Sequence, residues 1–397
     1  MNNTISVRVY LIAQAIALHR VLVCQRCEIG QGERNPRIVR FYVPRVPGIP
    51  ARTRQAIRMK NIYIHIGIQK TGTTFLQELC FPHLKGIHYV HKKNYSTPPP
   101  DGIVGRLSRI ANTNPLFLDL KKEKNELDCL LQTVKEETVL ISYERLFGNT
   151  AFNFYDNFYT TSSLKHLFPT ARIILVIRKQ DDLLESLYKQ CLRAYFCPTA
   201  SDFLNYVNGR FEDPSYYSTY PSVNARQLNF YKYARNYAKV FGRDNVIVLP
   251  YEMMKADQKE FLNRLFDFMH VEPFYPKENR NVHRSYSLLS CYIAFLLNRF
   301  VRVKGRESRL LRFIPNEPFS SYLSNRSSDN IFCRLLSNVN RRLSLNYVLE
   351  HGLDRVFYVK GNLIGDRKRR SIMELHKESN RILDEEFNLG LKQHGYY

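Results

Sequence analysis

Five short apolar runs set the frame for this chain: Ile62–Ile66, Ile87–Val90, Thr138–Ile141, Arg172–Ile177 and Val246–Leu249. Each is four to six residues long and rich in Ile and Val, which is how strands buried on both faces of a parallel sheet read. Between them lie longer stretches of helical spacing: Thr73–Leu84, Lys124–Val134, Leu183–Tyr195, Ala225–Phe241 and Asp257–Phe268. The last opens with Asp257 and Glu260 at capping-box spacing and stops short of Pro273. This alternation predicts an α/β fold with a mainly parallel central sheet flanked by helices. Ser96–Pro100 reads as a loop, residues 197–222 as an insertion, and Leu288–Leu297 as a core helix too short to span a membrane. Residues 301–370 are basic and weakly periodic and yield no element.

Charge divides the chain. Residues 1–58 hold ten Arg, no Lys and two acids, Glu28 and Glu33, and so account for eight of the formal net charge of +23. The composition shifts at Met59, which suggests two parts: a basic N-terminal extension over 1–58 and the functional domain over 59–397. An organelle-targeting peptide would be Arg-rich in this way but also Ser-rich, and Val9–Leu18 lacks the flanks of a signal peptide. The expected location is cytoplasmic, with targeting by the extension as the alternative. Cys24 and Cys27 form a lone C-x-x-C with no second pair at metal-ligand spacing. The basic balance requires an anionic partner without saying which.

The most informative stretch is Asn61-Ile-Tyr-Ile-His-Ile-Gly-Ile-Gln-Lys-Thr-Gly-Thr-Thr-Phe-Leu-Gln77. A strand runs into Gly67, a loop crosses to Gly72, and a helix begins at Thr73. Glycines let several backbone N–H groups converge, and the helix N-terminus adds the positive end of its dipole, so the segment suits a phosphate. Its residue order departs from the nucleotide triphosphatase loop G-x-x-x-x-G-K-[ST]. Thr73 stands where that loop has Lys, and the only Lys, Lys70, lies between the glycines.

The string His65-Ile-Gly-Ile-Gln-Lys-Thr-Gly-Thr-Thr74 resembles the 5′-phosphosulfate loop of sulfotransferases that use 3′-phosphoadenosine 5′-phosphosulfate (PAPS), in particular their carbohydrate-modifying and bacterial branches. A second segment agrees. Arg178 ends the fourth apolar run and Ser186 follows eight residues later on the next helix, similar to the family's 3′-phosphate motif. An Arg at a strand's C-terminal end can offer a bidentate fork to a phosphate. An ion pair with Asp181 or Asp182 is the alternative role for Arg178, and a solvated helix position that for Ser186. Tyr251-Glu252 after the last strand, and Asn380–Leu389 with Gly395-Tyr396 near the chain end, extend the likeness over residues 61–397.

The resemblance implies a P-loop NTPase-like sulfotransferase fold, PAPS as donor co-substrate, and no metal. It assigns Gly67, Gln69, Lys70, Thr71, Gly72, Thr73, Thr74, Arg178 and Ser186 to the donor, with Lys70 neutralising the leaving oxygen. The base that takes the acceptor's proton is a His or Glu beyond the second or third strand. His91 is the first candidate, Glu144 the second and His88 the third, while Arg145 and Lys92–Lys93 are candidates to line the acceptor cleft. The resembled branch implies a carbohydrate or glycolipid acceptor, carrying a hydroxyl or amine. With no Trp in the chain, sugar stacking would fall to some of its 26 Tyr, such as Tyr216, Tyr217 and Tyr220. A P-loop kinase or nucleotide hydrolase is the rival enzyme. A non-enzymatic nucleic-acid-binding protein would explain the charge but neither phosphate motif.

Overall fold

The computed structural model describes residues 60–91, 101–150, 153–213, 221–276, 286–299 and 347–397. All lie within one compact unit, Arg58–Tyr397. The expectations for residues 1–58, Lys92–Lys93, Ser96–Pro100, Tyr216, Tyr217, Tyr220 and 301–346 fall outside the described residues.

The five apolar runs are strands within a residue or two of their expected ends. They are β1 (Asn61–Gly67), β2 (Ile87–His91), β3 (Thr138–Ser142), β4 (Arg172–Ile177) and, after a two-stranded hairpin of β5 (Tyr206–Val207) and β6 (Arg210–Phe211), β7 (Val246–Pro250). They pair in the order β2-β3-β1-β4-β7, every neighbour parallel.

Parallel strands need covered faces, and both are covered. Ile62, Ile64, Ile66, Val139, Ile141, Ile173, Leu175 and Ile177 belong to one core. Tyr63, Leu140, Ile174, Val176 and Leu249 belong to the other. A fully buried Ile or Leu is worth about 1.5–3 kcal/mol, so strand alternation alone commits much of the fold.

The helices depart more from expectation. The first, α1 (Thr73–Phe75), widens into a π-helical turn at Leu76–Cys80 and tightens into a 3₁₀ turn at Phe81–His83. Pro82 has no N–H to return to residue 78, which ends the regular ladder. Two helices not anticipated from spacing follow on either side of the expected Lys124–Val134: α2 (Ile103–Asn112) and α4 (Asn157–Leu167). The expected one, α3 (Leu120–Thr133), starts four residues early because Asp119 caps the N–H of Lys122. Next come α5 (Gln180–Arg193) and, within the 197–222 segment, the short α6 (Ala200–Leu204). Asn229 caps α7 (Phe230–Phe241), which shortens the expected Ala225–Phe241. Then α8 (Tyr251–Ala256) and α9 (Gln258–Met269) meet at Asp257, which caps the N–H of Glu260. The expected core helix, α10 (Leu288–Leu297), buries Ser290, Cys291 and Ala294 but leaves Tyr292 and Leu296 more than half exposed. The C-terminal α11 (Asp366–Phe387) lies within and beyond the stretch that spacing left unassigned.

β1 sits between β3 and β4, so the connection leaving β1 leads toward one side of the sheet and the later strand β4 lies on the other. This is a topological switch point, where a crevice opens at the carboxyl ends of the strands. The loop 67–72, the segment after β3 and Arg178 after β4 all emerge there.

Candidate active site

The loop after β1 is built from left-handed turns. Gly67 has φ +81°, Gly72 φ +79°, and Lys70, unusually for a residue with a side chain, φ +68°. The buried Thr71 ties the turn by donating Oγ1–H to the Ile68 carbonyl at 2.6 Å. Gly72 is the N-cap of α1, and its carbonyl accepts from Phe75 N at 3.0 Å. The first N–H groups of any helix have no partner within the helix, so the turn from Gly72 through Thr73 and Thr74 presents donors at the crevice. Thr73 is buried and Thr74 half-buried.

Both glycines are also required by their neighbours. A Cβ on Gly67 would lie 2.9 Å from Glu144 Cγ, and one on Gly72 would lie 2.2 Å from Met254 Cε and 2.8 Å from Tyr251 Cε2. We expect Gly72→Ala to destabilise the protein by about 1–3 kcal/mol, from positive φ and from displaced α8 side chains. A denaturant melt checks this, and a midpoint equal to wild type would show that the loop tolerates a side chain there.

Arg178 closes the other side. Its Nη1 donates to the Lys70 carbonyl at 2.9 Å, and its guanidinium lies 5.1 Å from the Tyr251 ring centroid. The left-handed turn at Lys70 directs that carbonyl to Arg178. The Nε–H of Arg178 is buried with no hydrogen-bond partner among the described residues. The alternative pairing with Asp181 or Asp182 is not formed: Asp181 and Asp182 are taken by Arg369, at 2.7 and 2.5 Å. Ser186 is half-buried in the second turn of α5.

A buried polar net holds the backbone just past Arg178. Glu252 accepts from the Lys179 N–H at 3.2 Å and from the Tyr396 hydroxyl at 2.6 Å. Gln180 and Asn380 exchange hydrogen bonds at 2.7 and 3.1 Å, and Asn380 also donates to the Tyr396 carbonyl. Asn380, 200 residues on along the sequence, and Tyr396 thus anchor the start of α5.

The candidate bases separate. Glu144, just past β3, packs against Gly67 and accepts from Gln77 Nε2 at 3.0 Å. His91, the last residue of β2, is buried and stacks on Tyr89, with ring centroids 5.7 Å apart. Burial lowers the His91 pKa and Glu144 pulls it partly back, which favours the neutral imidazole. Burial likewise lowers the Lys70 ammonium from its ordinary value, helped by Arg193 and Arg178, against the pull of Glu144 and Glu350. His88, three residues before His91, points to the opposite face of β2 and pairs with Glu136 at 3.6 Å. Arg145 is engaged by Asp156, the Ala111 carbonyl and Asn112 Oδ1, so it ties α2 to the β3 loop.

Three polar residues that sequence reasoning did not single out join this cluster. His65 Nδ1 lies 2.7 Å from Ser142 Oγ, and Gln77 Nε2 donates to Ser142 Oγ at 2.9 Å. Gln77 lies in the π-helical turn that follows α1, so its place in the cluster came from the structure. His65 and Ser142 needed the sheet register.

The family described as "Sulfotransferase domain" matches residues 62–288, more than half of the chain. The chain belongs to the sulfotransferase family. The loop, Glu144, Arg178 and Ser186 all fall inside the matched span, and sulfotransfer is the chemistry the family supports. Among solved structures, a sulfotransferase from Alicyclobacillus acidocaldarius is similar at 18% identity, covering 60% of this chain and 92% of that one, with a TM-score of 0.37. Mouse sulfotransferase SULT7A1, complexed with PAP, is similar at 14% identity, covering 70% and 88%, with a TM-score of 0.30. A sulfotransferase domain from the curacin biosynthetic pathway is similar at 15% identity, covering 55% and 76%, with a TM-score of 0.31. The fold assignment rests on the strands of this sulfotransferase rather than on these scores. A comparison with curated protein sequences finds no match. Among the described residues no helix is long and apolar enough to cross a membrane, and no group of three or more His, Cys, Asp or Glu could hold a metal ion.

Proposed function

We propose that this protein transfers a sulfuryl group from PAPS to a hydroxyl or amine of an acceptor, with a carbohydrate or glycolipid as the acceptor class. The observation that carries the donor assignment is Arg178: one nitrogen is locked to the Lys70 carbonyl and a buried Nε–H has no hydrogen-bond partner among the described residues. A buried charged donor without an acceptor is costly, and an anion in the crevice would satisfy it. The left-handed loop, the first turn of α1 and a lysine between them fit the second anionic end of a phosphosulfate nucleotide. The acceptor class rests on the resemblance of the loop to carbohydrate-modifying members.

In this mechanism Gly72, Thr73 and Thr74 hold the 5′-phosphate through N–H and hydroxyl donors. Arg178 and Ser186 hold the 3′-phosphate. As the sulfuryl group leaves, negative charge grows on the bridging oxygen, and Lys70 Nζ neutralises it. The acceptor's proton passes to Glu144. Electrostatic coupling supports Glu144 over His91: the carboxylate interacts with Lys70 as well as with both histidines, which puts base and leaving-group cation in one pocket. Burial around Lys70 and Glu144 strengthens each interaction by excluding water.

Calorimetric titration tests the donor. Adenosine 3′,5′-bisphosphate should bind without metal and more tightly than ATP·Mg²⁺; the reverse preference would indicate a kinase or hydrolase. Arg178→Ala should weaken bisphosphate binding by about ten- to a hundredfold, the scale of one charge-assisted hydrogen-bonding group. Unchanged affinity in that variant would remove Arg178 from the site. Radiolabelled sulfate transfer to a panel of glycans tests the acceptor class.

A further inference from the structure

Behind Glu144 lies a set of buried polar groups that the transfer step does not itself use. The sheet register aligns His65, Ser142 and His91 across β1, β3 and β2, and the π-helical turn after α1 lays Gln77 over them. His65 and Ser142 are fully buried and Gln77 is 4% exposed. Polar groups sealed this deeply must satisfy one another.

Their protons can be followed one by one. The Gln77 amide has two N–H protons and no other donor. One goes to Ser142 Oγ at 2.9 Å and the other to Glu144 Oε1 at 3.0 Å. Ser142 has a single proton, and His65 Nδ1 at 2.7 Å is placed to accept it. Burial lowers His65 to about 4, so near neutral pH its ring carries one N–H and one acceptor nitrogen. In this arrangement every proton of Gln77 and Ser142 has an acceptor, and the cost falls on His65, whose Nε2–H is buried with no partner among the described residues. Turning the amide over would set its carbonyl oxygen against the Glu144 carboxylate, and Ser142 would have to withdraw its proton from His65.

We propose that Gln77 is a positioning residue that holds the Glu144 carboxylate at the rim of the loop, with Ser142 and His65 keeping the Gln77 amide turned to donate. The proposal rests on Glu144 being the base. A donor to the carboxylate favours its charged, proton-accepting form. The other groups facing Glu144 are Lys70 from the loop, His65 from β1, and Tyr89 and His91 from β2. Of these, Lys70 faces the leaving group. Gln77 donates to one carboxylate oxygen and leaves the other for the acceptor.

The experiment is the pH profile of kcat/KM for wild type, Gln77→Met, Ser142→Ala and Glu144→Gln, with bisphosphate titration of each as the check on an intact donor site. Gln77→Met keeps the side-chain length and removes both donors. It should move the acid limb upward, because the base works in its ionised form and removing a donor to the carboxylate disfavours that form. Donor KM should stay near wild type. An unmoved limb in a Gln77→Met protein with normal bisphosphate affinity overturns the proposal. If that variant does not fold, Ser142→Ala carries the test: the limb should move in the same direction by less, and an unmoved limb overturns it too. Glu144→Gln at wild-type rate would sink the base assignment itself, whatever the Gln77 variant does.

Discussion

Lys70→Ala should lower turnover by about 10²–10³ while changing bisphosphate affinity by much less. One preorganised donor aimed at developing charge is typically worth about 3–4 kcal/mol of transition-state stabilisation, and Lys70 is the lysine of the loop. Its contribution belongs to the transition state because the bridging oxygen gains charge only as its bond to sulfur breaks. Binding of the product nucleotide should depend more on Arg178, Gly72, Thr73 and Thr74. Arg178 contacts the Lys70 carbonyl rather than its ammonium, so truncating the side chain leaves that hydrogen bond in place. Lys70→Arg should recover only part of the rate, since a planar fork does not reproduce a compact ammonium. Single-turnover assays with a saturating donor check both. A Lys70→Ala enzyme that loses affinity as strongly as rate would make Lys70 a binding group rather than a leaving-group stabiliser.

Glu144→Gln should lower turnover by about 10²–10⁴, the range for a positioned general base. The substitution is close to isosteric, and its carbonyl oxygen can still accept from Gln77, so the pocket keeps its shape. Folding and bisphosphate affinity should be near wild type. His91→Gln serves as the comparison. His91 is buried and neutral by virtue of that burial, which suits a base, but its stacking on Tyr89 also suits a structural ring. A smaller loss for His91→Gln than for Glu144→Gln assigns the proton transfer to the carboxylate; the opposite ranking assigns it to the imidazole.

Local pattern carried the sheet far better than the helices. The central strands are short and sealed on both faces, so they show as runs dense in Ile, Val and Leu, while β2 at the sheet edge is only partly buried. The helices bury mixed surfaces. On α4 the buried residues include Thr160, Thr161 and Ser163, and on α11 they include His376 and Asn380; such positions blur the apolar period that spacing relies on. For α2 the signal was present, in Val104, Leu107, Ile110 and Ala111. The expected helix Thr73–Leu84 ran through Pro82, where a regular helix cannot continue; the structure ends the ladder there. Leu288–Leu297 misled in the other direction: its composition reads as core, yet Tyr292 and Leu296 are exposed.

The sequence by itself determined the left-handed loop after β1, because strand, turn and helix there are contiguous and the glycines mark the backbone they need. It also marked Arg178 as a strand-end cation and Glu144 and His91 as candidates. Only the tertiary structure decided how these meet. Placing β1 between β3 and β4 brings Lys70, Glu144 and Arg178 to one crevice, and the β1–β3 register sets His65 against Ser142, 77 residues away along the chain. That register is favoured by burial of both sheet faces, where a slip of one residue would move every strand side chain from one core to the other. Nothing in the spacing of the individual segments encodes it.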